Sequence, residues 1–238
     1  MNLAADRAAG ELEDDFHHFR AEIRHDGATI LAAEGTELRS PWSTCAFATE
    51  PLRAIEGHPI ARSSTAIGRY AAARVNCTHL FDLAGLVVAH AARAQTERRY
   101  DIELTDPTGS RGTCRASMWR DGALVLEWAI AEGEIAGPAP WAGAPLRNGF
   151  IAWAEQRCDR DLAEAAIALR RIIDIARGRS ADLDALDNAA AASDRMMGKC
   201  HTYSPATVDI AVRNRGSARH FAGHPELLLT DMEVRDRA

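Results

Sequence analysis

The stretch RVNCTHLFDLAGLVVAHAAR, residues 74 to 93, constrains the fold most. It reads as a helix with apolar residues on every side, so it lacks the polar stripe of a surface helix. Such a helix must be covered all round by other elements. A chain of 238 residues is long enough to build that cover. The longest apolar run, LAGLVVA, is far too short to span a bilayer. Yet the mouth of this helix carries Cys77, His79 and Asp82. With His79 in the first turn, Asp82 lies three residues on, over the same face. A carboxylate beside an imidazole fixes its tautomer and raises its basicity, as for a general base and its orienter. Cys77, just before the helix, is expected to feel the positive end of the helix dipole and to ionise more readily.

Composition narrows the class. Hydrophobic residues make up 47% and charged residues 26%, as in ordinary soluble globular proteins. The net charge of -6 argues against a general nucleic-acid or membrane-surface binder. The start, MNLAADRAAGELEDD, is acidic and has no apolar core segment, which is unlike a secretory signal, so a cytoplasmic location is expected. The five cysteines, at 45, 77, 114, 158 and 200, are odd in number and scattered, and no CxxC pair occurs. Reduced thiols are expected, with no disulfide framework.

The pattern along the chain predicts an α+β fold with an antiparallel sheet or partial barrel, built from an N-terminal hairpin and a central meander and packed by helices. Residues 1–15 read as a mobile acidic lead-in, 16–223 as a single domain and 224–238 as a tail. The hairpin turns at Asp26-Gly27. In its first run Phe19, Ala21 and Ile23 alternate with Arg20, Glu22 and Arg24, which places His17 inward and His18 outward. Ser43 or Thr44 is positioned to cap a short helix ending near Gly57, and Asn76 or Thr78 to cap the buried helix. Three extended runs between 98 and 135 form the meander, where Tyr100, Trp119 and Trp128 share the apolar parity. FIAWAEQRC opens a helical stretch. DLAEAAIALRRIIDIARG is an amphipathic helix stopped by Gly178, and it offers a face on which a homodimer can form. The Ala/Asp-rich stretch 181–195 reads as one more helix. The chain contains no GxGxxG, GxxxxGK[ST], GxSxG, HExxH or SxxK, so nucleotide-binding, serine hydrolase and zinc-peptidase readings have no motif behind them.

Three further groups carry chemistry. Cys200-His201, followed by Tyr203, reads as extended, with the two side chains on opposite sides. Cys77, His79, Cys200 and His201 together have the donor types of a zinc or iron site. In PWSTC, Trp42 is placed to wall a flat ligand or to anchor the core. The arginines of RNRGSARHF, namely Arg213, Arg215 and Arg219, suit an anionic group or a solvated face.

DDFHHFRAEIRHDG, LRSPWSTC, NCTHLFDLA and GKCH, in that order, resemble a bacterial family catalogued as a domain of unknown function. Its pattern is a DDFH-like hairpin, a PW[ST]TC corner, a CTHL helix start and a CH pair near the C-terminus. The resemblance runs from about 14 to 221. It departs after CTHL, where many members have Glu-Leu and this chain has Phe81 and Asp82. The chain is also similar to γ-formaldehyde lyases of lignin-dimer breakdown. That resemblance implies a cofactor-independent lyase that removes a hydroxymethyl carbon as formaldehyde from a small phenolic substrate. On that reading His79 is the base, assisted by Asp82 and Cys77. His201 or Tyr203 is the acid or the phenol partner, and His17 is held in reserve. Trp42 stacks the ring, and Cys45, Trp128 and Arg24 complete the substrate-binding set. Two rivals stand beside it: a metal-dependent enzyme on Cys77, His79, Cys200 and His201, and a non-catalytic small-ligand binder.

Overall fold

The computed structural model describes residues 6–109 and 112–230. The fold is α+β, with a three-stranded and a four-stranded antiparallel sheet, each in sequence order. Among the described residues neither sheet closes into a barrel. The chain divides into two compact units, 1–95 with 182–238, and 96–181, where the sequence alone reads as one domain.

In the first unit, β1 (Asp6–Glu13), β2 (His18–His25) and β3 (Ile30–Arg39) form a meander. The expected mobile lead-in is therefore a strand from Asp6 onward, paired with β2 from Asp6↔His25 to Glu13↔His18. Its apolar alternation is weak because Ala8, Gly10 and Leu12 present little surface, yet Ala8 and Leu12 pack on the core. The β2–β3 turn forms where expected. Asp26 Oδ1 accepts the N–H groups of Ala28 (2.9 Å) and Thr29 (2.7 Å), and Gly27 takes a φ of +90° that favours glycine.

Helix α1 (Thr78–Ala92) lies across β1 and β2. Leu80, Ala84, Val87 and Val88 join Phe19, Ala21 and Ile23 in one core. Glycines let the helix come this close. A Cβ on Gly35 would stand 2.5 Å from Leu80 Cδ2, and one on Gly10 would stand 2.9 Å from Val87 Cγ2. The expected helix after the PW corner is a 3₁₀ segment, Ser43–Ile55, whose N-cap position is Trp42, and neither Ser43 nor Thr44 caps it. Cys77, not Asn76 or Thr78, holds the N-cap position of α1. Residues 183–195 form two 3₁₀ turns, Leu183–Ala185 and Ala189–Arg195, in place of the expected helix.

The parity at the start of β2 also differs from expectation. His18 is buried at 3%, whereas His17 precedes the strand and is half-buried. A bulge between His18 and Phe19 breaks the alternation. The outer face there is covered by Glu11, whose Oε2 lies 3.2 Å from His18 Nε2, with Arg20 Nη1 2.9 Å from Glu11 Oε1. The tail is tied in at Leu229, whose N–H donates to Glu13 Oε2 (2.7 Å).

The second unit holds β4 (Tyr100–Leu104), β5 (Cys114–Arg120), β6 (Ala123–Ala131), β7 (Glu134–Gly137), α2 (Phe150–Arg157) and α3 (Arg160–Ala176). The third expected run splits into two strands at Glu132-Gly133, both with positive φ. Asp159 caps α3 by accepting from Leu162 N–H (2.8 Å). Its buried face, Ala163, Ala166, Leu169 and Ile173, packs with Met118, Trp128 and Ile130 of the sheet.

Candidate functional site

The β1–β2 connection builds one half of the site. Asp14 N–H donates to His17 O (2.9 Å), which closes the turn. Asp14 Oδ1 accepts from the N–H groups of Phe16 (2.7 Å) and His17 (2.9 Å), the Asx geometry that aspartate favours in turns. The same carboxylate lies 3.1 and 3.3 Å from His17 Nδ1. The first turn of α1 supplies the other half. His79 stacks on His17 with ring centroids 3.9 Å apart and planes 24° from parallel. One ligand atom each from Asp14, His17 and His79 lies within 4.8 Å of the other two. Burial pushes the Asp14 carboxyl up. The charges of His17 and His79 and the donated hydrogen bonds outweigh it, holding the group well below the usual carboxylate range. The side chains of Asp14 and His17 each keep 12% exposure, so the centre is reachable from solvent.

The expected thiolate at the helix mouth is not found. Cys77 Sγ lies 3.6 Å from His79 Nδ1, but burial pushes its thiol well above the usual value, with Cys45 adding to the effect. Desolvation exceeds the dipole here because the side chain is buried away from solvent. Cys45 is likewise pushed up to about 11 by burial, and its Sγ sits 3.4 Å from Thr202 Oγ1.

The C-terminal CH pair does meet the helix mouth. His201 N–H donates to Asn76 O (3.0 Å), and His201 Nδ1 lies 3.2 Å from Val75 O, which makes Nδ1 the protonated nitrogen. His201 Nε2 is buried and meets no hydrogen-bond partner among the described residues. The segment is a turn, not a strand, closed by Ser204 N–H donating to His201 O (3.1 Å). Tyr203 is buried with its ring edge-on to Trp42 at 6.3 Å, and burial raises its phenol to about 12. Arg213 covers a face of Trp42 at 5.8 Å, so that tryptophan anchors the core. Arg213 itself is buried, bonded to Pro41 O (2.7 Å) and Asp184 Oδ1 (2.8 Å), and is neither a solvated face nor an open anion clamp.

The remaining expected residues are dispersed. Arg24 is exposed on β2, and Asp82 is half-buried in α1. Trp128 belongs to the core of the second unit, 5.1 Å from Trp141 and 5.8 Å from Phe150. Cys77, His79, Cys200 and His201 do not converge as a four-ligand set. Among the described residues, the trio whose ligand atoms gather within 4.8 Å is Asp14, His17 and His79. Asp14 escaped the sequence reading, although the DxxH spacing of Asp14 and His17 in a polar turn carries the signal. Comparison with protein-family models, curated proteins and solved structures gives no match.

Proposed function

We propose that this chain is an enzyme that moves protons on a small aromatic molecule at the Asp14–His17–His79 centre. The observation that supports this best is the pair of stacked imidazoles beside one ionised, largely buried carboxylate. Imidazole is the side chain that trades protons near neutral pH, and a fixed carboxylate orients it. The four motifs carry only the resemblance to a family of unknown function. The substrate class is what the separate resemblance to γ-formaldehyde lyases of lignin-dimer breakdown implies.

The chemistry of such a step fits the residues. Loss of the benzylic oxygen from a phenolic dimer leaves a quinone methide, and an acid assists that departure. The base then takes the proton of the primary alcohol, the carbon–carbon bond breaks, and formaldehyde leaves. The electron pair flows into the quinone methide, which becomes a stilbene phenolate. The step needs an acid and a base and transfers no electrons to an acceptor. His79 is the base in this reading, Asp14 holds its partner His17, and His201, as the imidazolium with its second proton on Nε2, is the acid.

The test is formaldehyde release from a phenolic dimer bearing a primary alcohol. His79→Ala and His17→Ala should each abolish it while the melting temperature shows the protein folded. Release that persists in both variants, or its absence from the unaltered protein across a panel of such dimers, overturns the reading.

A further inference from the structure

We infer that Asp14, His17 and His79 form a binding site for one divalent first-row transition-metal ion. The inference rests on the proposed function and refines it: with an ion bound, His17 and His79 would be its ligands, and an ion-bound water would take over from His79 as the base. Its binding test, however, does not depend on turnover.

The donor set is two imidazole nitrogens and one carboxylate oxygen, which suits zinc or iron(II) and leaves positions open for water or substrate. The spacing fits as well. Two ligands about 2.1 Å from one ion stand about 3.0 Å apart at a right angle and about 3.4 Å apart at the tetrahedral angle. Asp14 Oδ1 and His17 Nδ1 are 3.1 Å apart, and the ion would take the place of the proton between them. All three ligand atoms lie within 4.8 Å of one another before any ion draws them in.

The surroundings orient the donors as outer groups do around metals. Asp14 Oδ1 is fixed by two backbone N–H groups. His79 directs Nδ1 toward Cys77 Sγ, so Nε2 is the atom it would offer the ion. The donors come from two elements that the core locks together, a turn of the hairpin and the first turn of α1. Cys77 and Cys200 fall outside the trio, so the site is of nitrogen and oxygen character and not a thiolate cage.

The experiment uses the full chain, stripped with a chelator and titrated with zinc(II) and cobalt(II) by calorimetry, with elemental analysis after gel filtration. About one ion per chain is expected. Asp14→Asn keeps an oxygen for the two backbone donors but removes the charge. That variant, His17→Gln and His79→Gln should each weaken binding by about 100-fold or more, beyond what loss of an outer partner does. Cys200→Ser should leave the affinity unchanged. The cobalt form should show weak visible bands and no intense near-ultraviolet thiolate band. Ion-free melting temperatures of each variant show that the fold survives, and a variant that fails to fold is replaced by the cobalt spectrum of the unaltered protein. An absence of stoichiometric ion overturns the inference, as does an ion retained by both histidine variants or a strong thiolate band. Metal bound without formaldehyde release would sink the lyase reading and leave the site standing.

Discussion

At the residue scale, burial decides more than sequence position does. His79 and His17 were legible as reactive candidates because each is a polar side chain at an apolar boundary. Their common partner was not, since an aspartate in an acidic stretch looks like solvent-facing charge until the turn brings it beside the imidazoles. His17 and His18 exchanged expected places because a one-residue bulge inverts parity, and nothing in the sequence marks it. Cys77 shows the same limit, as helix position argues for a thiolate and desolvation reverses the sign. That reversal predicts a labelling pattern. With its thiol raised to about 11 by burial, Cys45 is held in the unreactive thiol form near neutral pH. Native protein treated with an alkylating reagent and mapped by mass spectrometry should show Cys114 and Cys158, both half-buried, modified well before Cys45 and Cys77. Fast modification of native Cys77 would restore the reactive-thiol view of the helix mouth.

At the element scale, the hairpin turn, the central helix, the meander and the amphipathic α3 were readable from periodicity and turn residues. Strand β1 was not, because its inward residues are small and partly exposed, so the period-two signal is faint. Those small residues have a purpose that only packing reveals. Gly85 lies inside α1, where alanine ordinarily stabilises a helix by about 1 kcal/mol over glycine. Here an added Cβ would stand 2.1 Å from the backbone oxygen of Ser64, which cannot move without shifting its segment. Gly85→Ala is therefore expected to destabilise by about 3 kcal/mol or more. Gly10→Ala meets side-chain atoms of Val87 and Leu83 and no backbone, so it should cost less, about 1–2 kcal/mol. Urea midpoints of the two variants check this ordering, and a stabilised Gly85→Ala would mean that α1 does not press on residue 64. Gly10, together with Gly35, also sets how closely α1 sits on the hairpin that carries His17.

At the scale of the whole molecule, the two units differ in how they answer to acid. The first unit holds the carboxyls with lowered pKa. Asp14 lies beside His17 and His79. Asp184 accepts from Gly216 N–H and pairs with Arg213, which ties the 182–187 segment to the chain near Pro41. A carboxyl whose pKa is lower folded than unfolded contributes stability above the unfolded value, and that contribution disappears as pH falls through the folded one. The first unit should therefore weaken progressively below about pH 4. The second unit leans the other way. Burial and the neighbouring Glu164 raise the Tyr100 phenol, which donates to Glu164 Oε1 at 2.6 Å. A group with a raised pKa contributes stability below its unfolded value and loses it as pH rises through the folded one, so this contribution is intact in acid and fades above about pH 10. Hydrogen exchange read by mass spectrometry on a descending pH series should lose protection in 6–39 and 182–217 before 100–137. Simultaneous loss would mean that the units unfold as one, and earlier loss from the meander would mean that its own carboxyls, not those around Asp14 and Asp184, govern acid stability. The N-terminal hairpin and the C-terminal segment are separated by a whole unit in sequence, yet they should answer to pH together, because the centre at Asp14 and the clasp at Asp184 belong to the same compact unit.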